Sequence, residues 1–304
     1  MADAHATAKV RPGPLWVSAL VLDGKGCGLL KKVSGGAIAA DVVLEHAGPG
    51  QPVKKHLGTV HYEEFELQIG FAMGPPVFDW IAAAWRADPK RHDGSVVSCD
   101  EKLEAKSERK FTGALLTETT IPTLDAGSQE PAWLTVKFAP ELVRTAKASG
   151  KVSGADPHHP EKLLFPSGFK LEIDGLDCAK VRKIGSFTVR QPYARDDFGD
   201  ASVATLEPGA LSFPDLEVTF AEVAVDSWLD WFEDFVVRGN STGDKEKSGT
   251  LTLLSPNQQP LASIKLFNLG IFRLGAIDSA VDSDRLKLAT AGLYCERMEL
   301  KLGA

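Results

Sequence analysis

The chain has 304 residues, 43% hydrophobic and 25% charged, enough to bury one large core or two of ordinary size. Its formal net charge of −7 excludes a global basic footprint for gripping nucleic acid, and permits a conduit that nucleic acid passes without sticking. No apolar run approaches the roughly eighteen residues that span a bilayer, and residues 1–14 lack the apolar core of a signal peptide. We therefore expect no membrane insertion and assembly in the cytoplasm. Cys27, Cys99, Cys178 and Cys295 show no CxxC or zinc spacing, so free and mostly buried thiols are expected.

Residues 1–14 read as a flexible arm that ends in the breakers Pro12-Gly13-Pro14. LWVSALVLDGKGCG is then an apolar strand running into a turn, followed by strand-like segments around a Gly/Pro-rich tip at 48–52. In HYEEFELQIGF, Phe65, Leu67 and Ile69 alternate with Glu64, Glu66 and Gln68, the pattern of a half-buried strand. PPVFDWIAAAW, residues 75–85, predicts a short helix, because proline is welcome in a first turn. Strands are expected at 95–99, 111–118 and 133–139. Residues 144–166 are small, polar and proline-rich without a period, which marks a linker.

After the linker the same programme restarts. FKLEIDG alternates, DLEVTF follows, and residues 226–237 place Trp228, Trp231, Phe232 and Phe235 on one apolar helical stripe. Asp226 or Ser227 is expected to cap that helix. At an offset of 151 the two passes share Asp23/Asp174, Gly24/Gly175, Cys27/Cys178, Glu66/Glu217, Asp79/Asp230 and Trp80/Trp231. The loop after the helix is four residues longer in the second pass, and the offset becomes 155, giving Gly94/Gly249, Lys110/Lys265, Thr135/Thr290 and Glu141/Glu296. One insertion, placed in a loop, keeps strands on strands and helix on helix. We therefore expect an internal duplication, with domains at 15–143 and 167–304 joined by the 144–166 linker. Each is mainly β with one short helix, a sandwich or small barrel whose opening the helix covers. Trp80, Trp85, Trp228, Trp231 and Phe235 are the expected helix anchors.

Catalytic chemistry is not visible. GKGCG at 24–28 invites a dinucleotide reading, but the equivalent positions in the second pass include Asp177 and Ala179, and Gly35-Gly36 interrupts any following helix. His158-His159 sits in a Pro-flanked linker without further ligands, and His56 and His61 flank a strand start beside Glu63-Glu64, more often a polar edge than a metal site. There is no GxSxG, HExxH, P-loop or kinase signature. No enzyme, metal or cofactor is expected.

The second pass resembles the tail tube protein family of contractile-tailed phages and contractile injection systems. The resemblance rests on an order of features: FKLEIDGL, then KIGSFTV, an extended loop, the DSWLDWFED helix, and a polar turn into GTLTLLSPNQQPLASIKLFNLGIFRL, with a closing alternation to Leu302. The positions that carry it are Trp228, Trp231, Gly249, Pro260, Phe267 and Asn268. The first pass matches best at KKHLGTVHYEEFELQIG and departs at 95–110. The resemblance implies a structural protein whose domains close into a ring around a channel, here as a trimer supplying a pseudo-sixfold set. It also implies stacking loops, for which His46, Lys54, Lys55 and His56, and Arg195, Asp196 and Asp197, are the candidates. Implied partners are the chain itself, further tube, baseplate, sheath or terminator proteins, and DNA or an effector in the lumen. The role is that of hub, initiator, adaptor or tube subunit. The alternative reading is a monomeric two-domain β-protein that binds a ligand or carbohydrate.

Overall fold

A computed structural model describes residues 16–46, 48, 52–152, 159–196, 205–277 and 287–303. The first half contains β1 (Val17–Leu22), β2 (Lys25–Leu30), β3 (Lys32–Gly35), β4 (Ile38–Glu45), β5 (Lys54–Tyr62) and β6 (Phe65–Ile69), then α1 (Pro75–Trp85). It ends with β7 (His92–Cys99), β8 (Ala105–Ile121), β9 (Leu124–Asp125), β10 (Leu134–Ala139) and β11 (Leu142–Lys147). The second half contains β12 (Phe169–Ile173), β13 (Val181–Ile184), β14 (Phe187–Arg190), β15 (Tyr193–Asp196), β16 (Thr205–Pro208) and β17 (Leu216–Ala221). After α2 (Asp226–Phe232) come β18 (Lys247–Leu254), β19 (Pro260–Ile277) and β20 (Leu288–Leu302). The protein is mainly β, with one short α-helix in each half.

In the first half β8 is long enough to serve two sheets. Its leading part pairs with β7 and β11, and its trailing part with β10. The order β2-β1-β7-β8-β10-β6-β3 therefore curls round, and α1 lies across it. In the second half the order is β12-β18-β19-β20-β17-β13. Alternation drives burial as the pattern predicts: in β6, Phe65, Leu67 and Ile69 are buried while Glu66 and Gln68 are not. Phe65, Phe111, Phe138 and Trp80 then form one aromatic cluster in the first half, with Phe65 and Phe138 stacked at 4.9 Å.

The two halves keep step. Phe65 and Leu216, which open β6 and β17, stand 151 residues apart, as do Pro75 and Asp226, which open the helices. His92 and Lys247, and Ala105 and Pro260, which open β7 and β18 and then β8 and β19, stand 155 apart. Irregularities fall into the same register. The slip between His92↔Ala114 and Gly94↔Phe111 recurs between Lys247↔Leu269 and Gly249↔Leu266. The bulge that skips Thr117 recurs at Phe272, and the left-handed turn at Gly113 (φ 61°) recurs at Asn268 (φ 54°). β20 is the counterpart of β10 and β11 run together.

Three expectations change. Arg144–Lys147, placed in the linker on composition, belong to β11, whose polar side chains suit a largely exposed strand held by backbone pairing to β8. The α2 N-terminus has no side-chain cap: Ser227 instead accepts a hydrogen bond from the Asp177 backbone N–H at 2.9 Å. The helical stripe continues past Phe232 as a π-helical turn over Glu233–Val237. The pair His158-His159 lies partly outside the described residues, because only His159 is described.

Candidate assembly surfaces

The expected helix anchors are all buried. Trp80 donates its indole N–H to the Lys90 carbonyl at 2.9 Å and meets His92 edge-on at 5.2 Å. Trp228 donates to the Asp177 carbonyl at 3.1 Å and stacks on Phe220 at 4.6 Å. Trp231 packs against Phe235 at 5.9 Å under the Lys247 ammonium, and Phe235 reaches Tyr294. The indole nitrogens of Trp85 and Trp231 make no hydrogen bond among the described residues.

The halves are joined by strand pairing. The trailing edge of β8 takes β14 antiparallel, with Phe187↔Ile121, Thr188↔Thr120, Val189↔Thr119 and Arg190↔Glu118. β13 pairs with β9 beside it. Thr120 and Thr188 share a hydroxyl bond at 2.8 Å, and Ser186 donates to the Ile121 carbonyl. Glu118 receives Lys137 at 3.1 Å and Arg190 at 3.0 Å. Burial pushes the Glu118 carboxyl up, but the two cations outweigh it and hold it below the usual carboxylate range. The same carboxylate raises the Lys137 ammonium.

A second contact seats the β15–β16 hairpin on the first half. Leu206 is wholly buried against Leu115, Ala139 and Tyr193. The Arg91 guanidinium donates to the Leu206 carbonyl and pairs with Glu141 at 3.3 Å and Glu207 at 3.7 Å, while the Leu206 N–H donates to Glu141. Burial raises the Tyr193 phenol, with Glu64 adding to the effect. A third contact lays α1 against β20, where Trp85 borders Glu296 and Arg297.

The candidate stacking loops fall into two kinds. His46, Lys54, Lys55 and His56 are exposed on or beside the β4–β5 hairpin, where His56 meets Glu45 at 2.8 Å. Arg195 and Asp196 lie on β15, and Arg195 donates to the Tyr62 carbonyl inside the chain. Asp197 lies outside the described residues. Sequence reasoning missed Arg91, Tyr193 and Leu206, whose partners stand far off in the chain. The Glu141/Glu296 identity was the signal pointing to this place.

The former nucleotide motif is a β-hairpin: Lys25–Leu30 pair with β1 and no helix follows. Among the described residues no group of His, Cys, Asp and Glu side chains converges on a cation site, and no helix is long and apolar enough to cross a membrane. A concavity of about 700 Å³ runs along β12 and the turn to Val181, and its Lys170 and Glu172 are paired at 2.7 Å. Exposed apolar side chains among the described residues include Ile38, Val42, Val43, Leu44 and Leu57 on the hairpin, Leu229 and Val236 on the second helix segment, and Phe272 on β19.

No protein-family model and no curated protein matches the chain. Several solved structures do. A chain of an extracellular contractile injection system (PVC) sheath–tube complex in the extended state is 21% identical, with 46% of this chain covering 95% of that one at a TM-score of 0.39. A chain of the sheath/tube terminator of the same system is 21% identical over 46% and 99%, at a TM-score of 0.38. The Hcp1 protein of E. coli EAEC 042 is 14% identical over 44% and 97%, at a TM-score of 0.25.

Proposed function

We propose that this protein is a structural subunit of a phage tail or contractile injection apparatus. In this reading it carries two tube-like domains in tandem and closes, as a trimer of pseudo-sixfold symmetry, into a ring around a channel. The observation that carries it is the β8–β14 junction between two halves whose elements keep constant offsets. The junction is heterologous: the edge of β8 in one unit meets a different strand, β14, of the other. A heterologous contact between equivalent units propagates until rotation closes it, and closed barrels leave no open sheet edge. The tube-like features quoted from the second half support the family.

The halves also differ, which suits a specialised ring. β2 has no strand counterpart among the described residues of the second half, and the β4–β5 hairpin is longer than β15–β16. We therefore favour a hub, initiator or terminal adaptor over a repeating tube subunit, with sheath, baseplate or terminator proteins above and below. Because the β15–β16 hairpin is seated within the chain, stacking falls to the exposed outer part of the β4–β5 hairpin around His46 and Lys54. Assembly takes place in the cytoplasm, and DNA or an effector passes through the lumen. Light scattering and negative-stain electron microscopy at several concentrations test the reading. Closed rings of about three chains support it, and long tubes favour the repeating subunit. A strict monomer at every concentration favours the two-domain ligand-binding protein.

A further inference from the structure

The in-chain junction uses one edge of each half and leaves the equivalent edges open. Carried back by 151 residues, β14 falls on residues 36–39, which include the first part of β4. Carried forward by 155, residues 118–121 of β8 fall on Arg273–Ala276 of β19. Among the described residues β19 pairs there with β20 on one side only, because its pairing with β18 stops at Leu269. Among the same residues β4 pairs with β5 alone. Val189 is 2% exposed at the made junction, whereas its counterpart Ile38 is 48% exposed.

We propose that the β4 edge of one chain pairs with the β19 edge of a second copy, with Ile38 opposite Leu274, Ala37 opposite Gly275 and Ala39 opposite Arg273. This rests on the ring reading and specifies its contact.

Two further surfaces agree with that docking. In the made junction Leu206 and Glu207 of the hairpin sit on Leu115, Ala139, Arg91 and Glu141. The counterparts of Leu206 and Glu207 are Lys55 and His56. Those of Leu115, Ala139, Arg91 and Glu141 are Gly270, Tyr294, Glu246 and Glu296. The receiving face thus becomes acidic where the arriving hairpin becomes basic. Complementarity survives although Arg91 and Lys55 both depart from their counterparts' chemistry. The receiving face is also built. Tyr294 donates to Glu246 at 2.7 Å, Asn268 donates to its other oxygen at 2.7 Å, and the Tyr294 ring fills the space a side chain at Gly270 would take.

The helices repeat the argument. α1 lies between its own sheet and β20 of the other half, and Phe78 and Trp85 are 2% and 1% exposed. Their counterparts Leu229 and Val236 are each 41% exposed. The element equivalent to that end of β20 is β11, so β11 of the chain that supplies β4 covers this face of the copy that supplies β19.

The test mixes two single variants, Ile38→Cys and Leu274→Cys, oxidises them, and reads a non-reducing gel. Directly opposed strand positions lie within disulfide reach. A covalent dimer is expected from the mixture and from neither variant alone. In parallel, Lys55→Glu should weaken self-association by about tenfold or more, and adding Glu296→Lys to it should restore association. Circular dichroism confirms that each variant is folded. Rings that form without the crosslink, or that ignore both charge changes, overturn this contact and leave the ring reading standing. A chain that stays monomeric at every concentration, with no crosslink, overturns both.

Discussion

Trp228 and Trp231 occupy one helix stripe yet should behave differently when cut back. Trp228 is fully buried, stacked on Phe220 with an interplanar angle of 19°, and hydrogen-bonded to Asp177. A buried indole removes about 200 Å² from water, which at about 25 cal/mol per Å² is about 5 kcal/mol. Alanine retains a small part of that area, so Trp228→Ala should cost about 4 kcal/mol, within the range for aromatic truncation. In a unit of this size that is a fall in Tm of about 8–16 °C. Trp228→Phe keeps most of the packing and loses the indole bond, leaving the Asp177 carbonyl unpaired, for about 1 kcal/mol. Trp231→Phe loses no hydrogen bond, so despite giving up part of its packing under Lys247 it should be destabilised less than Trp228→Phe. Urea titration followed by circular dichroism reads all three. The reasoning fails if Trp228→Ala costs less than about 2 kcal/mol, or if the two phenylalanine variants are equally destabilised.

Other outcomes follow from the same geometry. Glu118→Gln should cost about 1 kcal/mol at pH 7 by removing the carboxylate that receives Arg190 and Lys137, Lys137 keeping Glu66 at 3.7 Å. Because the folded Glu118 pKa is depressed, its contribution is present above the unfolded value of about 4.3 and is lost as pH falls through the folded value. The parent and the variant should therefore converge in Tm below that point, measured by thermal melts across acid pH. At Gly35 (φ 71°) a Cβ would meet the Glu64 carbonyl oxygen at 1.9 Å, so Gly35→Ala should cost more than about 2 kcal/mol. Gly24→Ala, at φ 74° with open space, should cost about 1 kcal/mol. Cys27, Cys99 and Cys295 are buried, and burial raises all four thiols, Cys178 to about 11. A thiol reagent at neutral pH should label none within minutes in the folded protein and all four in urea.

The local pattern carried much of the fold. Alternation at Phe65–Ile69 and the Trp228, Trp231, Phe235 stripe mark their buried faces directly, because a strand shows its core side every second residue and a helix every third or fourth. The constant offsets, broken by one loop insertion, are legible in the sequence, and the element starts keep them. β11 escaped because an exposed strand held by backbone bonds needs no apolar period, so RTAKAS reads as linker. The cap expected of Ser227 failed for a related reason: its hydroxyl serves Asp177, fifty residues away in the chain.

What the sequence determined, then, is the order of the elements that carry an apolar period and which of their faces is apolar, since those follow from side-chain spacing within a few residues. Only the tertiary structure decided which edges meet. Arg91 binds the carbonyl of Leu206 across 115 positions, and β8 chooses β14 through backbone groups that every residue carries alike. No periodicity encodes such a choice. It is set by which N–H and C=O rows remain unpaired once both cores have closed.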